Sequence, residues 1–405
     1  MNYQESLDWL YSTQLFGIKL GLDGPRQLLR QFLANPTSTT KVVHVAGSNG
    51  KGSTCAMIDS LARATGVRCG LFTSPHLVDF RERIRVNGEM IPEAKVTHSL
   101  NDLHELLADW DHHPTFFEIT LAIAMRHFKE MECDLIILET GMGGRLDATT
   151  AVPADVCVIT PIALDHTEWL GDTLEKIALE KAGIICPNKP VLSAKQEREA
   201  SIVIAEVADE RHALLTIVSG PLLGYSINLA GRHQAENAKL AVETISALGI
   251  RLNFDTVRHA LANIQWPGRF ETLSESPQII IDGAHNPHAA HALIETWKEK
   301  FGEQKATLVF GAVEEKDVSA VLEILSSISS EIHLTPLDSP RSMSAAAVKE
   351  LLTGNSPTPQ LHANLESCLA SLEEHDSPIL IAGSLFLIGE AKALTGDGGF
   401  QRSSQ

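Results

Sequence analysis

The sequence has no long apolar run and no closely spaced pair of cysteines. No apolar stretch approaches the roughly 20 residues that a membrane-spanning helix needs, and no basic residue precedes Lys19, which predicts that there is no signal peptide. The six cysteines are scattered, without a Cys-x-x-Cys pair: Cys55, Cys69, Cys133, Cys157, Cys186 and Cys368. These absences predict reduced core thiols in a cytoplasmic protein with no membrane partner.

Basic residues are also scarce. The sequence has 33 Lys and Arg residues against 51 Asp and Glu residues, a formal net charge of -18. A surface of this sign repels a polyphosphate backbone, and the basic residues are not clustered. We therefore expect no nucleic-acid partner, and any phosphate that the protein binds must be held locally.

Apolar residues are abundant, and their pattern predicts an α/β fold. The chain has 405 residues and is 44% hydrophobic, enough for two or three packed domains. Segments 53–65 and 117–131 have helical apolar spacing. They alternate with five candidate strands: 41–46, 69–73, 134–139, 155–160 and 190–194. Strands that are apolar almost throughout are typical of a parallel sheet covered by helices on both faces.

A second series of strands begins near residue 276, with the segments QIIIDGA, ATLVFGA, EIHLTPL and PILIAGS. Pro, Gly and Ser interrupt the pattern between 266–271 and 274–278, which predicts a domain break there. We expect one domain over 1–270, a smaller one over 276–395, and a flexible tail over 396–405.

The segment HVAGSNGKGS, residues 44–53, predicts a phosphate-binding loop between a strand and a helix. Its spacing differs from the common GxxxxGK[ST] pattern, because Val45 stands where the first glycine would be and Gly52 follows Lys51. Glycines let backbone N–H groups converge on an anion, the helix N-terminus is partly positive, and a hydroxyl can reach Mg²⁺. The candidate ATP-binding residues here are Asn49, Gly50, Lys51, Gly52 and Ser53.

Other residues have a structural and a functional interpretation. Thr115 and Glu118 have the spacing of a helix capping box. Glu139 ends a buried strand, where ligands bind in open α/β sheets, and is a candidate metal ligand. Asp165 and His166 follow another strand. Lys181 lies on the apolar face of a helix and is either a snorkelling lysine or part of the site.

Together these motifs resemble the Mur ligase superfamily of amide-forming ligases and, within it, the folylpolyglutamate synthase/dihydrofolate synthase family. The resemblance covers nearly the whole chain and includes TSPHL (73–77), TFFEIT (115–120), LIILETGMGGRLDATT (135–150), ALDHTEWLG (163–171), LEKIALEKAGII (174–185) and DGAHNP (282–287). It implies an N-terminal P-loop ATPase-like domain, with a parallel sheet and flanking helices, and a smaller C-terminal Rossmann-like α/β domain. Thr150 departs from the asparagine usual in the family.

The resemblance also implies a role for individual residues. Asn237, Arg269 and Asp282 match further ATP contacts, and two Mg²⁺ ions are expected. The implied metal ligands are Ser74, Glu139, His166 and Lys181, the last as a carbamylated lysine. Lys51, Lys181 and His166 are the candidate catalytic residues. The folate-binding candidates are Thr115, Phe116, Phe117, Glu118, Leu146, Asp147 and Ala148. His285 and Ser384 are candidates for binding glutamate, and Lys316 is either a site residue or a surface charge.

The implied reaction is ATP-dependent formation of an amide between a pteroate or folate carboxylate and L-glutamate, through an acyl phosphate. We expect a bifunctional dihydrofolate synthase and folylpolyglutamate synthase that acts as a monomer on small molecules. A Mur-type ligase of cell-wall synthesis is one alternative. A P-loop kinase or nucleotide switch is another, but it leaves Glu139, His166 and Lys181 without a role.

Overall fold

A computed structural model describes residues 1–16, 21–314, 317–352, 356–396 and 400–401. The chain divides into two compact units. The first unit contains residues 1–74, 81–226 and 235–264, and the second contains residues 75–80, 227–234 and 265–405. Lys316 and most of the predicted tail lie outside the described residues. Among the described residues, no helix is both long and apolar enough to cross a bilayer.

The first unit contains an eight-stranded sheet of order β4-β3-β2-β5-β1-β6-β7-β8. The strands are β1 Lys41–Ala46, β2 Cys69–Phe72, β3 Ile84–Val86, β4 Glu89–Met90, β5 Leu135–Glu139, β6 Val156–Ile159, β7 Val191–Ala194 and β8 Leu215–Val218. All neighbours from β2 to β8 pair in parallel, and β3 is antiparallel to both β2 and β4. The five strands predicted from apolar runs are β1, β2, β5, β6 and β7, so that prediction is confirmed.

The described residues of this part of the chain form ten helices. They are α1 Tyr3–Ser12, α2 Asp23–Gln31, α3 Lys51–Arg63, α4 Glu93–Leu106, α5 Phe116–Glu130, α6 Thr167–Leu170, α7 Leu174–Ala182, α8 Arg198–Glu210, α9 Arg232–Ala247 and α10 Phe254–Ala262. Short 3₁₀ turns occur at Thr13–Phe16, Phe80–Arg83 and Ala148–Ala151. Helix α3 follows the phosphate loop directly and is buried from Gly52 to Ala62, because it packs against β2, β5 and α10.

The second unit has a six-stranded sheet of order β13-β12-β11-β14-β10-β9, in which β9 alone is antiparallel. Its strands are β9 Glu271–Glu275, β10 Gln278–Ile281, β11 Ala306–Phe310, β12 Ser329–Leu334, β13 Gln360–Leu361 and β14 Ile379–Ala382. Its helices are α11 Pro287–Phe301, α12 Val318–Ser326, α13 Ala345–Lys349, α14 Leu365–Ala370 and α15 Leu385–Thr395. The stretch 274–278, expected at the domain break, forms the β9–β10 hairpin, because the same Ser and Pro residues also suit a tight turn.

Alternate residues of this second sheet belong to two apolar clusters. Leu308 and Leu380 belong to a cluster that includes Trp297, whereas Val309 and Ile381 belong to one that includes residues of α14 and α15. Since successive side chains of a strand point to opposite faces, both faces of the sheet are buried. The near-continuous apolar strands read from the sequence reflect this two-sided burial.

We expect Leu308→Ala to destabilise the second unit by about 2–5 kcal/mol, because Leu308 is fully buried in the middle of the sheet and its loss leaves a cavity. Leu361→Ala, on the edge strand β13 with 47% of the residue exposed, is the matched control and should change stability by less than about 0.5 kcal/mol. Urea denaturation followed by circular dichroism measures both. Equal shifts for the two variants would contradict this account of the core.

Candidate functional site

The centre of the first sheet brings four strand ends together. Strands β2, β5, β1 and β6 are adjacent and parallel, so their carboxyl ends lie on one edge. Ser74 follows β2, Glu139 ends β5, the phosphate loop follows β1, and Asp165 comes shortly after β6. The carboxyl edge of a parallel sheet is where open α/β folds bind ligands. The structure therefore gathers at one place residues that lie up to 118 positions apart in the sequence from Gly47 to Asp165.

Two glycines of the loop have no room for a side chain. Gly47 has φ +151, and a Cβ placed there would lie 1.8 Å from Thr160 Oγ1. Gly50 has φ +84 at the N-cap of α3, and a Cβ there would lie 2.7 Å from Asn237 Oδ1. The Asn237 side chain therefore lies directly against the loop, where the sequence predicted an ATP contact.

Hydrogen bonds hold the loop against the segment that follows β6. The backbone N–H groups of Ser48 and Asn49 both donate to the carbonyl oxygen of Pro161, at 3.0 and 3.1 Å. The Ser48 hydroxyl donates to the carbonyl oxygen of Ala163 at 2.8 Å. The loop conformation is thus fixed from one side, and the first turn of α3, with Gly52 and the buried Ser53, begins immediately after it.

Two lysine side chains converge on this loop. Lys51 Nζ donates to the carbonyl oxygens of Gly47 and Ser48, at 3.1 and 3.4 Å. Lys181 Nζ, from the last turn of α7, donates to the same Gly47 oxygen at 2.8 Å. Burial lowers the pKa of Lys181 to about 7, and the positive charge of Lys51 adds to the effect, while Asp165 and Asp147 oppose it. A lysine with this pKa is half neutral near neutral pH.

Oxygen atoms suitable for a divalent cation lie on the same edge. Glu139 is buried, and its Oε2 accepts a hydrogen bond from the backbone N–H of Ser74 at 3.1 Å. The Ser74 hydroxyl is inaccessible to solvent and has no hydrogen-bond partner among the described residues. A buried, unsatisfied hydroxyl beside a carboxylate fits the oxygen ligands that Mg²⁺ prefers.

Asp165 and His166 complete this edge. His166 has a left-handed backbone, with φ +51, and its N–H donates to Asp165 Oδ1 at 3.0 Å. The His166 Nε2 atom lies 3.9 Å from Asp165 Oδ2. Sequence analysis gave a metal role to the histidine alone, yet the buried Asp165 carboxylate is the harder ligand and interacts with Lys181. Its position next to His166 was the signal that could have identified it.

The segment 115–118 forms the predicted capping box at the start of α5. Thr115 N donates to Glu118 Oε2 at 2.6 Å, and Glu118 N donates to Thr115 Oγ1 at 3.3 Å. Phe116 stacks on Tyr11 with ring centroids 5.5 Å apart. The Phe117 ring is half-buried, 5.5 Å from that of Phe72. The structure confirms the capping interpretation, and the folate-binding role of this segment remains a prediction.

Asp147 stabilises the loop that follows β5. Its two carboxylate oxygens accept hydrogen bonds from the backbone N–H groups of Gly141, Met142 and Thr149, at 2.9, 3.0 and 3.0 Å. Burial raises the pKa of Asp147, and these hydrogen bonds oppose the shift. All of these hydrogen bonds are therefore made within the loop that contains Asp147. In the same loop, Leu146 is half-buried and Ala148 is buried. The folate contacts expected of these residues remain predictions.

Sequence reasoning missed two buried polar side chains near these segments. Arg83 is fully buried, with its guanidinium carbon 5.1 Å from the centre of the Phe116 ring. His44, on β1, has its Nε2 2.6 Å from Thr149 Oγ1, and burial lowers its pKa to about 3. Arg83 follows the TSPHL segment in the sequence and His44 lies in the first predicted strand, so the residue types were visible but their burial was not.

The remaining candidates belong to the second unit. Asp282, after β10, accepts hydrogen bonds from the N–H groups of Phe270 and Ala284 at 2.9 and 2.8 Å. Burial raises the pKa of Asp282, and the positive charge of Arg269 opposes this rise. His285 Nδ1 lies 2.7 Å from the carbonyl oxygen of Gly283. Ser384 is buried and caps α15. The structure shows how these residues stabilise the local backbone. Their ligand contacts remain predictions.

Comparison with known proteins agrees with this architecture. Residues 45–190 match the Mur ligase middle domain and residues 268–385 match the Mur ligase glutamate ligase domain. The chain is 36% identical over 363 residues to the dihydrofolate synthase/folylpolyglutamate synthase of Escherichia coli, covering 86% of this chain and 85% of that protein. It is 33% identical over 427 residues to the Bacillus subtilis protein of the same name, covering 96% and 98%.

A solved structure is similar over the same length. The bifunctional folylpolyglutamate synthase/dihydrofolate synthase from Yersinia pestis, complexed with AMPPNP and a Mn ion, superimposes with a TM-score of 0.88 at 31% identity, covering 97% of this chain and 98% of that one. The two matched domains define the class, a Mur-type ligase. Within that class, the chain belongs to the dihydrofolate synthase/folylpolyglutamate synthase family.

We expect Gly47→Ala to abolish ATP binding, because the added methyl group would overlap Thr160 Oγ1 and displace the loop. Gly21→Ala is a matched control, since Gly21 has nearly the same φ, +149, but no atom within 4 Å of the added Cβ. Titration calorimetry with ATP measures both variants. Retained ATP affinity in Gly47→Ala would contradict the assignment of this loop.

We expect Lys181→Met to be more stable than the parent near pH 7, by about 0.5–2 kcal/mol, and inactive. The pKa of Lys181 falls from 10.5 to about 7 on folding, so between these values the unfolded chain binds one more proton. Lys181 therefore makes the free energy of unfolding rise with pH between about 7 and 10.5. Below pH 7 the buried positive charge destabilises the folded state by its full amount. Urea denaturation across this range, in bicarbonate-free buffer, measures the effect.

The stability advantage of Lys181→Met should shrink as the pH approaches 10. Lys176→Met is the control, because Lys176 lies on the same helix but is exposed and pairs with Asp172; it should change stability by less than about 0.5 kcal/mol. A Lys181→Met variant that is less stable than the parent at pH 7 would show that the lysine stabilises the fold.

Proposed function

We propose that this chain is a bifunctional ATP-dependent ligase that joins L-glutamate both to dihydropteroate and to a reduced folate. The observation that carries the proposal is the convergence of Lys51 and Lys181 on the Gly47 carbonyl oxygen, on the strand edge that also carries Glu139 and Ser74. Full-length similarity to enzymes named for these two activities supports the choice of substrates.

A carboxylate is a poor electrophile, so the reaction must first activate it. Its oxygen attacks the γ-phosphorus of ATP, the bond to the bridging oxygen breaks, and ADP leaves. Lys51 is suited to neutralise the charge that spreads over the phosphoryl oxygens, and the first turn of α3 supplies backbone N–H donors to the same anion. The α-amino group of glutamate then attacks the acyl phosphate, which gives the amide, phosphate and a proton.

The proposed metal ligands are Ser74, Glu139, His166 and Lys181, and Asp165 joins them on the geometry described above. A bound divalent cation would polarise the transferred phosphoryl group and orient it. The Y. pestis structure with AMPPNP and Mn supports this chemistry. Ser74 and Glu139 fit the cation as oxygen donors, whereas the assignment of His166 depends on the family resemblance, because Mg²⁺ prefers oxygen.

Lys181 cannot be a ligand as an ammonium ion. We therefore propose that its neutral amine adds to carbon dioxide, which forms an N–C bond, releases one proton and leaves a carbamate with carboxylate-like oxygens. The buried setting of the amine and its hydrogen bond to Gly47 suit this change, because burial already favours the neutral form. The carbamate would also relieve the repulsion between Lys181 and Lys51.

The two alternatives are weaker. A P-loop kinase would use the phosphate loop, but it offers no explanation for the matched glutamate ligase domain at residues 268–385. A Mur-type ligase of cell-wall synthesis shares both domains, yet the relatives that cover almost the full chain are named for folate substrates. We further propose that the protein acts as a cytoplasmic monomer without nucleic-acid partners.

The test is ADP release by the purified chain with MgATP and L-glutamate, comparing 7,8-dihydropteroate with tetrahydrofolate as the acceptor. We expect turnover with both, and a loss of about 10²–10³-fold in kcat for Lys51→Met, as for removal of one transition-state donor. Lys176→Met should keep the parental rate. Turnover with one acceptor alone would reject bifunctionality, and ATP binding without turnover on either would reject the folate assignment.

A further inference from the structure

Two histidines and a cysteine meet at the edge of the second sheet. His333 lies on β12 with 2% of its surface exposed, and its register partner on β11 is Val309. Val309 belongs to the apolar cluster that also contains Leu365 and Cys368 of α14. A polar ring buried on an apolar face is costly unless its nitrogens are satisfied. Apolar packing alone therefore does not explain why a histidine occupies this position.

The neighbours of His333 include side chains of the types that can bind a metal ion. His333 Nδ1 lies 2.9 Å from His362 Nε2, just after the edge strand β13. One ligand atom from each of His333, His362 and Cys368 lies within 4.8 Å of the others. Strand pairing explains the meeting, because His333 is opposite Gln360 in the β12–β13 register and α14 begins three residues after His362.

The protonation states of these groups suit a soft cation. Burial lowers the pKa of both His333 and His362, which keeps the imidazoles neutral, the form that binds metals. Burial also raises the pKa of the Cys368 thiol to about 12. Metal binding deprotonates a coordinating thiol, so a cation would reverse that effect. Two imidazole nitrogens and one thiolate are typical ligands for zinc and poor ones for Mg²⁺.

The second nitrogen of His333 adds an independent observation. Its Nε2 is buried, has no hydrogen-bond partner among the described residues, and lies 3.6 Å from Glu331 Oε2. A histidine that binds a metal through one nitrogen almost always directs its other N–H to a carboxylate or carbonyl. A small movement of the Glu331 carboxylate would bring it within hydrogen-bond distance for that role. His375, also near His333, has its Nε2 2.6 Å from Thr307 Oγ1.

We propose that His333, His362 and Cys368 bind one thiophilic divalent metal ion, zinc in the cell, with the fourth position open to water. The ion would link β12, the edge strand β13 and helix α14. Binding breaks the S–H bond of Cys368 and releases one proton, while the imidazole N–H between the two histidines shifts to its outer nitrogen. Zinc–nitrogen distances of about 2.0–2.1 Å at tetrahedral angles put the two nitrogens roughly 3.3 Å apart, so the rings need to separate only slightly. The site shares no residue with the proposed ligase site.

The experiment is a Co²⁺ titration of the full chain after chelator treatment, in excess Mg²⁺ to occupy oxygen-rich sites. We expect one equivalent of Co²⁺ to produce a thiolate-to-cobalt charge-transfer band and tetrahedral d–d bands, both removed by Zn²⁺. Cys368→Ser should abolish the charge-transfer band. Cys133→Ser is the matched control, because burial raises the pKa of that thiol to about 12 as well, and it should leave the band intact.

Two further variants keep the test decisive if Cys368→Ser fails to fold. His362→Ala, at a half-buried ring, should weaken Co²⁺ binding more than tenfold, and Glu331→Gln should weaken it about tenfold, as expected for a carboxylate that orients a ligand. No charge-transfer band in the parent chain would overturn the proposal. So would a band that persists in Cys368→Ser, or parental Co²⁺ affinity in folded His362→Ala.

Discussion

The carbonyl oxygen of Gly47 accepts hydrogen bonds from two lysine side chains, and the charged groups around the phosphate loop are arranged about this contact. Lys51 and Lys181 reach that oxygen from different helices, at 3.1 and 2.8 Å. Burial disfavours the charged form of Lys181, and the nearby positive charge of Lys51 adds to the effect, so the pKa of Lys181 is lowered. Negative groups nearby offset part of this destabilisation. In the free chain Asp165 and Asp147 provide part of this compensation, and bound phosphates would provide the rest.

The sheet explains how such a cluster can form. The phosphate loop occupies the centre because β1 pairs with β5 on one side and β6 on the other. Glu139 ends β5 and Asp165 follows β6, so both carboxylates come to the same edge of the sheet. Gly47 and Gly50 allow Thr160 and Asn237 to approach the loop backbone, which any side chain would prevent. The strand order thus brings the charges together, and the glycines let neighbouring side chains pack closely against the loop.

The sequence was sufficient for what depends on local pattern. The apolar runs predicted five parallel strands, and the Thr115–Glu118 spacing predicted a capping box, because both follow from short-range geometry. The role of Asp147 could not be foreseen, since its partners are backbone groups of a loop without periodicity. Contacts of Gly47 with Thr160 and of His333 with His362 join distant segments, so only the folded chain reveals them. Residues 274–278 show a further limit: a hairpin turn and a domain linker have the same composition.

The two groups of candidate metal ligands differ in chemistry and in their position in the two sheets. Glu139 and Ser74 end or follow strands at the carboxyl edge of a sheet, where oxygen ligands could hold an ion that also contacts substrate phosphates. His333 and Cys368 pack on an apolar face, where a metal would reach water only at its fourth position and would serve to join segments. A chain that used one ligand type in both places would allow Mg²⁺ and zinc to compete. Hard oxygen ligands in one place and nitrogen and sulfur ligands in the other would favour Mg²⁺ at the first site and zinc at the second.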